Sequence, residues 1–112
     1  MKIWKNNVEV DEYGRIFKRV KVKGGSKLQP AKVYKNGRYP TITYKDNGKK
    51  KIATCHRVVA ESYLGRPLQG TETVHHCNHQ RNDYQVSNLC IVSRATHDII
   101  EYKGLYCKGN LK

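Results

Sequence analysis

The hydrophobic period of the chain changes near residue 54, and this change constrains the fold more than any other feature. Before it, short alternating runs lie between glycine-containing turns, a pattern typical of antiparallel strands. After it, Cys55 to Leu64 has the spacing of a short helix, with Thr54 as a possible N-cap and Gly65 as a stop signal. A chain of 112 residues has room for one domain or two very small lobes.

The N-terminal half is predicted to be a twisted antiparallel sheet. Asn36-Gly37 and Asn47-Gly48 are strong hairpin signals, because both residue types tolerate positive φ. Strands are expected at Arg15 to Lys23, Arg38 to Lys45 and Lys49 to Thr54. Alternation along the first strand gives it a cationic face, made by Arg15, Arg19, Lys21 and Lys23.

The charge of the chain is uneven. The formal net charge is +13, and residues 1–51 hold 15 basic and 4 acidic residues against 7 and 5 in residues 52–112. This asymmetry predicts a region that binds a polyanion beside a region with another task, although a solvated lysine-rich surface is the alternative. The residues predicted to bind nucleic acid are Arg15, Arg19, Lys21, Lys23, Lys49, Lys50, Lys51, Arg57 and Arg81.

Nothing in the sequence predicts a membrane or secreted protein. No apolar stretch approaches the length of a membrane span, and the first residues lack the apolar core of a signal peptide. We therefore expect a soluble, intracellular protein. The four cysteines lack CxxC spacing, so the expectation in a reducing compartment is free thiols, mostly buried.

Histidines cluster in the second half of the chain. Four of the five lie between residues 75 and 97. The predicted elements there are a strand (Thr73 to Cys77) with two of them, a polar loop with one, a second strand (Asn88 to Val92) without any, and a helix from Ser93 to about Gly104 with the last. Two histidines and a later one can hold a divalent cation and still leave one imidazole free as a base. The four are His75, His76, His79 and His97.

The run His56-Arg57-Val58-Val59-Ala60-Glu61, followed by Val74-His75-His76, then Asn88-Leu89 and then His97, resembles the HNH endonucleases. It looks most like the small phage and intron-homing type, with the resemblance specific in residues 56–97 and loose before them. The resemblance implies an α+β fold: an N-terminal twisted antiparallel β-sheet lobe, a helix, and a C-terminal ββα-metal motif. Residues 1–54 would be a basic DNA-binding lobe, 55–104 the nuclease region and 105–112 a tail.

The resemblance also implies a role for each matching residue. His76 corresponds to the general base, His75 and His97 to metal ligands, and Asn88 to the residue that ties down the loop and orients the base. Glu101, one helical turn beyond His97, is a candidate third ligand. The implied activity is metal-dependent hydrolysis of double-stranded DNA, nicking one strand per active site, by a monomer or homodimer.

Metal identity and one other class of function stay open at this point. His75 and His97 stand where the homing type more often has Asp or Asn, so a single Mg, Mn, Zn or Ni ion is compatible with the site. The alternative is a non-catalytic nucleic-acid-binding module with a structural zinc held by histidine and cysteine. A closed four-ligand zinc site has no use for a free imidazole at His76. A weaker alternative is an RNA-binding basic protein of ribosomal character.

Overall fold

The computed structural model describes residues 2–5, 7–35, 37–78, 80–93 and 95. Their order is strands, then a helix, then two further strands. The elements are β1 (Lys2–Ile3), β2 (Val8–Val10), β3 (Ile16–Val22), β4 (Gly25–Pro30), β5 (Thr41–Asp46), β6 (Lys49–Thr54), α1 (Cys55–Leu64), β7 (Glu72–His76) and β8 (Leu89–Ser93), with a 3-10 helix (Val86–Asn88) just before β8.

The strands form three antiparallel sheets. One has the order β1-β2-β3-β4, and the pairs β5-β6 and β7-β8 form the other two. The α+β class predicted from the sequence is confirmed, and strand residues outnumber helical ones among the described residues. The predicted last helix, the tail and the residues His79, His97 and Glu101 lie outside the described residues.

The hairpin between β5 and β6 follows from its turn sequence. Asn47 and Gly48 both have positive φ, 52° and 77°, the requirement of the two-residue turn that matches strand twist. β6 has the predicted bounds, but β5 begins at Thr41 rather than Arg38. Pro40 explains the later start, because proline has no N–H to give to a strand ladder.

The helix α1 matches its prediction, from Cys55 to Leu64. Gly65 ends it in the left-handed conformation, and its N–H donates to the Glu61 carbonyl at 3.0 Å. Thr54 occupies the N-cap position, but its side chain makes no capping hydrogen bond.

One hydrophobic core joins the two halves of the chain. α1 packs on β1 and β2 on one side and on β7 and β8 on the other, so its buried residues contact both halves. The core residues are Val8, Val10, Ile16, Ile42, Cys55, Val58, Val59, Ala60, Val74, Val86 and Leu89.

The turn before β3 packs directly on the loop between β7 and β8. Gly14 has a φ of +79°, and a Cβ at this position would lie 2.5 Å from the carbonyl oxygen of Tyr84. Only glycine satisfies both the backbone conformation and the close approach. This contact fixes the N-terminal sheet against the loop that follows the paired histidines.

The cysteines depart from the prediction at one position. Cys55 and Cys77 are buried free thiols as expected, whereas Cys90 is disulfide-bonded, so the expectation of a free thiol at Cys90 is wrong. A disulfide depends on which cysteines the fold brings within about 6 Å between their Cα atoms, and spacing along the chain does not show this. Within the described part, no helix has the length and apolar character to cross a membrane.

Candidate active site

Strand β7 carries the two adjacent histidines. It pairs with β8 so that His75 lies opposite Cys90 and His76 opposite Leu89. His75 is fully buried and His76 is 6% exposed. Because successive side chains of a strand point to opposite faces, both faces of the strand end are enclosed, and each imidazole has its own surroundings.

The ring of His76 belongs to a cluster of three aromatic side chains, which we call the ring cluster: Tyr39, His56 and His76. The His56 ring meets the His76 ring edge-on, with centroids 5.0 Å apart, and Tyr39 stacks on His76 at 6.1 Å with an angle of 14°. Tyr39 and His56 also touch, at 5.0 Å. The predicted base is thus held by two side chains that come from different elements.

His56 is neutral near pH 7. Burial, with smaller contributions from the nearby His76 and Arg57, lowers the pKa of His56 to about 4. Its Nδ1 is buried with no hydrogen-bond partner among the described residues, and its Nε2 lies 3.4 Å from the Thr54 hydroxyl. The ring beside His76 therefore adds no positive charge to it.

Asn88 fixes the loop that follows β7. Its Nδ2 donates to the Asp83 carbonyl at 2.7 Å and to Asn78 Oδ1 at 3.0 Å, and its Oδ1 accepts the Asn78 N–H at 3.1 Å. The N–H of Cys77, directly after His76, donates to the Asn88 carbonyl at 2.7 Å. The side chain and the backbone of one residue therefore hold both ends of the loop together.

The same loop carries Arg81 to the ring cluster. Asn78 Nδ2 donates to Asp83 Oδ2 at 2.9 Å, and the Gln80 N–H donates to Asn78 Oδ1 at 2.9 Å. In the resulting loop, the Arg81 guanidinium lies 5.4 Å from the centre of the Tyr39 ring. Arg81 is thus a predicted nucleic-acid contact that the fold brings to the ring cluster.

Four of the other predicted nucleic-acid contacts are paired with acids of the protein itself. Arg15 pairs with Asp11 at 2.6 Å, Arg19 with Glu9 at 2.8 Å, Lys51 with Asp46 at 3.0 Å and Arg57 with Glu61 at 3.2 Å. Lys21, Lys23, Lys49 and Lys50 are exposed, and none of them has an ion pair in the described part of the chain.

Arg57 donates a hydrogen bond to a buried carboxylate of the protein itself. The buried Glu61 carboxylate accepts hydrogen bonds from Trp4 Nε1 at 2.8 Å, from the Leu68 N–H at 2.7 Å and from Arg57 Nε at 3.2 Å. A buried carboxylate requires such donors, so this network uses Arg57 within the fold.

The donor chemistry at β7 fits a divalent cation in part. Imidazole nitrogen is a good ligand for zinc and nickel, and β7 presents two imidazoles beside a fixed loop. Among the described residues, no group of three or more His, Cys, Asp or Glu side chains is arranged to hold a metal ion. The other predicted ligands, His97 and Glu101, lie outside that part.

Sequence reasoning missed Tyr39, Lys35 and Arg38, which belong to the segment between β4 and β5. Hydrogen bonds between Tyr34 and Thr41, at 2.8 and 2.9 Å, close this segment into a loop beside the ring cluster. No spacing in the sequence connects it with the paired histidines. His56, by contrast, stands in the run that carries the resemblance, but its contact with His76 was not predicted.

Comparison with known proteins bears on the same region. Residues 53–98 match the model of an HNH endonuclease family. The fold is similar to that of the HNH homing endonuclease I-HmuI, whose structure concerns DNA binding and cleavage, with a TM-score of 0.61 and 20% identity over 93% of this chain and 57% of that chain. This chain therefore spans less than two thirds of that nuclease. No curated protein matches the sequence. The matched residues include His56, both histidines of β7 and Asn88.

Proposed function

We propose that the chain is a metal-dependent endonuclease that hydrolyses phosphodiester bonds of double-stranded DNA, starting from the match of residues 53–98 to the model of an HNH endonuclease family. The resemblance predicted from the sequence is confirmed over these residues. The observation that carries the proposal is the buried His76 imidazole. It contacts a neutral His56 ring and stands directly before a loop that Asn88 fixes.

His76 is the general base. A neutral imidazole accepts the proton of a water molecule as the water oxygen attacks the phosphorus. The bond from phosphorus to the 3′ oxygen breaks, and the leaving oxygen takes up a proton from solvent, so the products carry a 5′ phosphate and a 3′ hydroxyl. The proton taken from water resides on His76 until it passes to solvent.

His75 and His97 would hold a single divalent cation, with Glu101 as a further ligand. When bound, this ion would polarise the scissile phosphate and stabilise the charge that develops on the leaving oxygen. The identity of the ion stays open among Mg, Mn, Zn and Ni, and the imidazole ligands favour the transition metals over Mg.

Asn88 acts through structure rather than by touching substrate. Its three side-chain hydrogen bonds hold the loop after β7, and we expect this loop to keep the His76 ring in one orientation.

One base per chain implies that a monomer cuts one strand, while a homodimer would cut both. Residues 1–54 would supply DNA contacts to the nuclease region 55–104, with 105–112 as a tail.

A structural zinc module is less well supported. Burial raises the pKa of the Cys55 thiol to about 11, which disfavours the thiolate that zinc requires. Cys90, as a disulfide-bonded residue, has no thiolate to offer. Neither observation favours a zinc site built from these cysteines.

A plasmid-cleavage assay tests the proposal. Metal-stripped protein is incubated with supercoiled plasmid, and magnesium, manganese, zinc or nickel is added back in parallel with His76→Ala. We expect metal-dependent conversion to open circle, and a loss of about 10²- to 10⁴-fold in rate for His76→Ala, the usual contribution of a general base.

The matched control is His79→Ala, which removes a histidine three positions later in the sequence that the mechanism does not use. This variant should keep the wild-type rate within a few-fold. The proposal would be contradicted if the wild-type protein binds DNA but cuts it with none of the four metals. Equal rates for His76→Ala and wild type would remove His76 from the role of base.

A further inference from the structure

A basic cleft lies beside the ring cluster, between the segment that precedes β5 and the loop that follows β7. Its volume is about 490 Å³. Three cationic side chains and two amides provide its polar lining: Lys35, Arg38, Arg81, Gln80 and Asn82.

The basic cleft carries positive charge that no ion pair among the described residues neutralises. No acidic residue of the described part lines it, and Lys35, Arg38 and Arg81 make no ion pair within the described ranges. Arg15, Arg19, Lys51 and Arg57 differ, since each has an acidic partner within 3.2 Å. Like charges held close together repel one another, and a bound anion would remove this cost.

Both walls of the basic cleft are fixed by hydrogen bonds. The Tyr34–Thr41 pair closes one wall, and the Cys55 N–H donates to the Pro40 carbonyl at 2.9 Å. The other wall belongs to the loop that Asn88 holds. When a binding site is already ordered before its ligand arrives, less binding free energy is spent on ordering its side chains and loops.

Tyr39 connects the basic cleft with the proposed base. Its ring contacts the Arg81 guanidinium at 5.4 Å and stacks on His76 at 6.1 Å. Since the Tyr39 ring contacts both, an anion bound by Arg81 lies close to His76 along the surface but is displaced from it by the width of a ring.

We propose that the basic cleft binds a backbone phosphate of DNA that neighbours the phosphate being cut, an inference that rests on the proposed function. The guanidinium groups of Arg38 and Arg81 match phosphate oxygens in a bidentate fashion, while Lys35 supplies a point charge. The amides of Gln80 and Asn82 donate to the remaining oxygens. By holding this phosphate, the basic cleft strengthens the binding of DNA beside His76.

The test compares two double variants that lose the same net charge. Arg38→Gln with Arg81→Gln removes the two guanidiniums of the basic cleft. Lys2→Gln with Arg66→Gln removes one exposed lysine and one exposed, ion-paired arginine at the β1 end of α1. Binding of a fluorescent DNA duplex is measured by anisotropy in EDTA over a range of KCl concentrations, and circular dichroism verifies that both variants are folded.

We expect the cleft variant to bind about tenfold more weakly, with the slope of log K against log salt lower by about one, as for the loss of one phosphate contact. The control variant should keep the wild-type slope. An unchanged slope in the cleft variant overturns the inference. Lys35→Gln provides a second, milder variant with the same expected direction.

Cleavage at saturating protein separates this inference from the proposed function. For the cleft variant, the protein concentration that gives half of the maximal rate should rise, while the maximal rate stays within about threefold, since the lost contact is uniform binding. A loss confined to the maximal rate would assign these arginines to the scissile phosphate and overturn the inference. If wild-type protein cuts nothing, the proposed function fails, and the salt slope still decides whether the basic cleft binds phosphate.

Discussion

The β7-β8 pair and the β3-β4 pair each consist of two neighbouring antiparallel strands, but the first pair is largely buried and the second is largely exposed. β7 ends in three buried residues, Val74 to His76, and β8 begins with the buried Leu89 and Cys90. β4 is exposed at all but one position, and β3 becomes exposed toward Val22. The difference arises because α1 covers β7 and β8. Strand pairing alone therefore does not decide whether a region suits chemistry or surface binding.

The two regions also differ in how they use charge. Just before β3 and within it, Arg15 and Arg19 are paired with Asp11 and Glu9, so part of the predicted cationic face is neutralised within the protein. Farther along, Lys21 and Lys23 extend into solvent without such partners in the described residues. We therefore expect Lys21 and Lys23 at the end of this hairpin, together with the basic cleft, to make more of the DNA contact than Arg15 and Arg19.

Breaking the junction between the two regions should have the largest effect on stability. Gly14→Ala places a Cβ at 2.5 Å from the Tyr84 carbonyl oxygen in a residue with a φ of +79°. We expect the free energy of unfolding to fall by about 3 kcal/mol or more, because backbone strain and a clash add. Urea denaturation monitored by circular dichroism measures this.

Gly48→Ala is the matched control for that prediction. Gly48 has a similar φ of +77°, but no atom of the described residues lies within 4 Å of the position that a Cβ would take there. The cost should therefore be about 1 kcal/mol of backbone strain. Equal losses for the two variants would show that the contact between Gly14 and Tyr84 does not hold the regions together.

The buried region should lose stability in acid through His56. Its pKa is about 4 in the folded protein against an ordinary 6.5, so the unfolded chain binds a proton that the folded protein excludes. The contribution is intact above pH 6.5, is lost progressively as the pH falls toward 4, and amounts to about 3 kcal/mol. Urea denaturation in EDTA at a series of pH values measures this.

His56→Gln sharpens the pH comparison, because glutamine keeps a polar side chain without a proton to gain. This variant should show a shallower loss of stability between pH 6.5 and 4 than wild type. A pH dependence identical to that of wild type would mean that His56 is not the group that the fold keeps neutral.

The exposed region should show the smallest effect, and only on DNA binding. Lys21→Gln with Lys23→Gln is expected to weaken binding about tenfold and to reduce the salt slope by about one to two, with the maximal cleavage rate unchanged. Arg15→Gln with Lys51→Gln, which removes two cations already paired with Asp11 and Asp46, should weaken binding less. A larger loss from the paired residues would reverse our assignment of the DNA contact to the hairpin end.

Local patterns in the sequence determined several elements to within a residue. α1 has its predicted bounds because its spacing and the Gly65 stop signal act within one element. The β5-β6 hairpin follows from Asn47-Gly48, whose positive φ values the turn requires. The resemblance to the HNH endonucleases was also readable from the sequence, because the residues that carry it stand at fixed spacings within 53–98, the range that matches the family model.

Only the tertiary structure decided which distant side chains meet. The stacking of Tyr39 on His76, the burial that keeps His56 neutral, the pairing of Arg19 with Glu9 and the basic cleft all join segments that no periodicity connects. The physical reason is that hydrogen-bonded turns and helix stops are fixed by neighbouring residues, whereas desolvation and ion pairing depend on the whole packed core. The sequence by itself therefore determined the histidines and their spacing, and the packing of α1 between the sheets determined their surroundings.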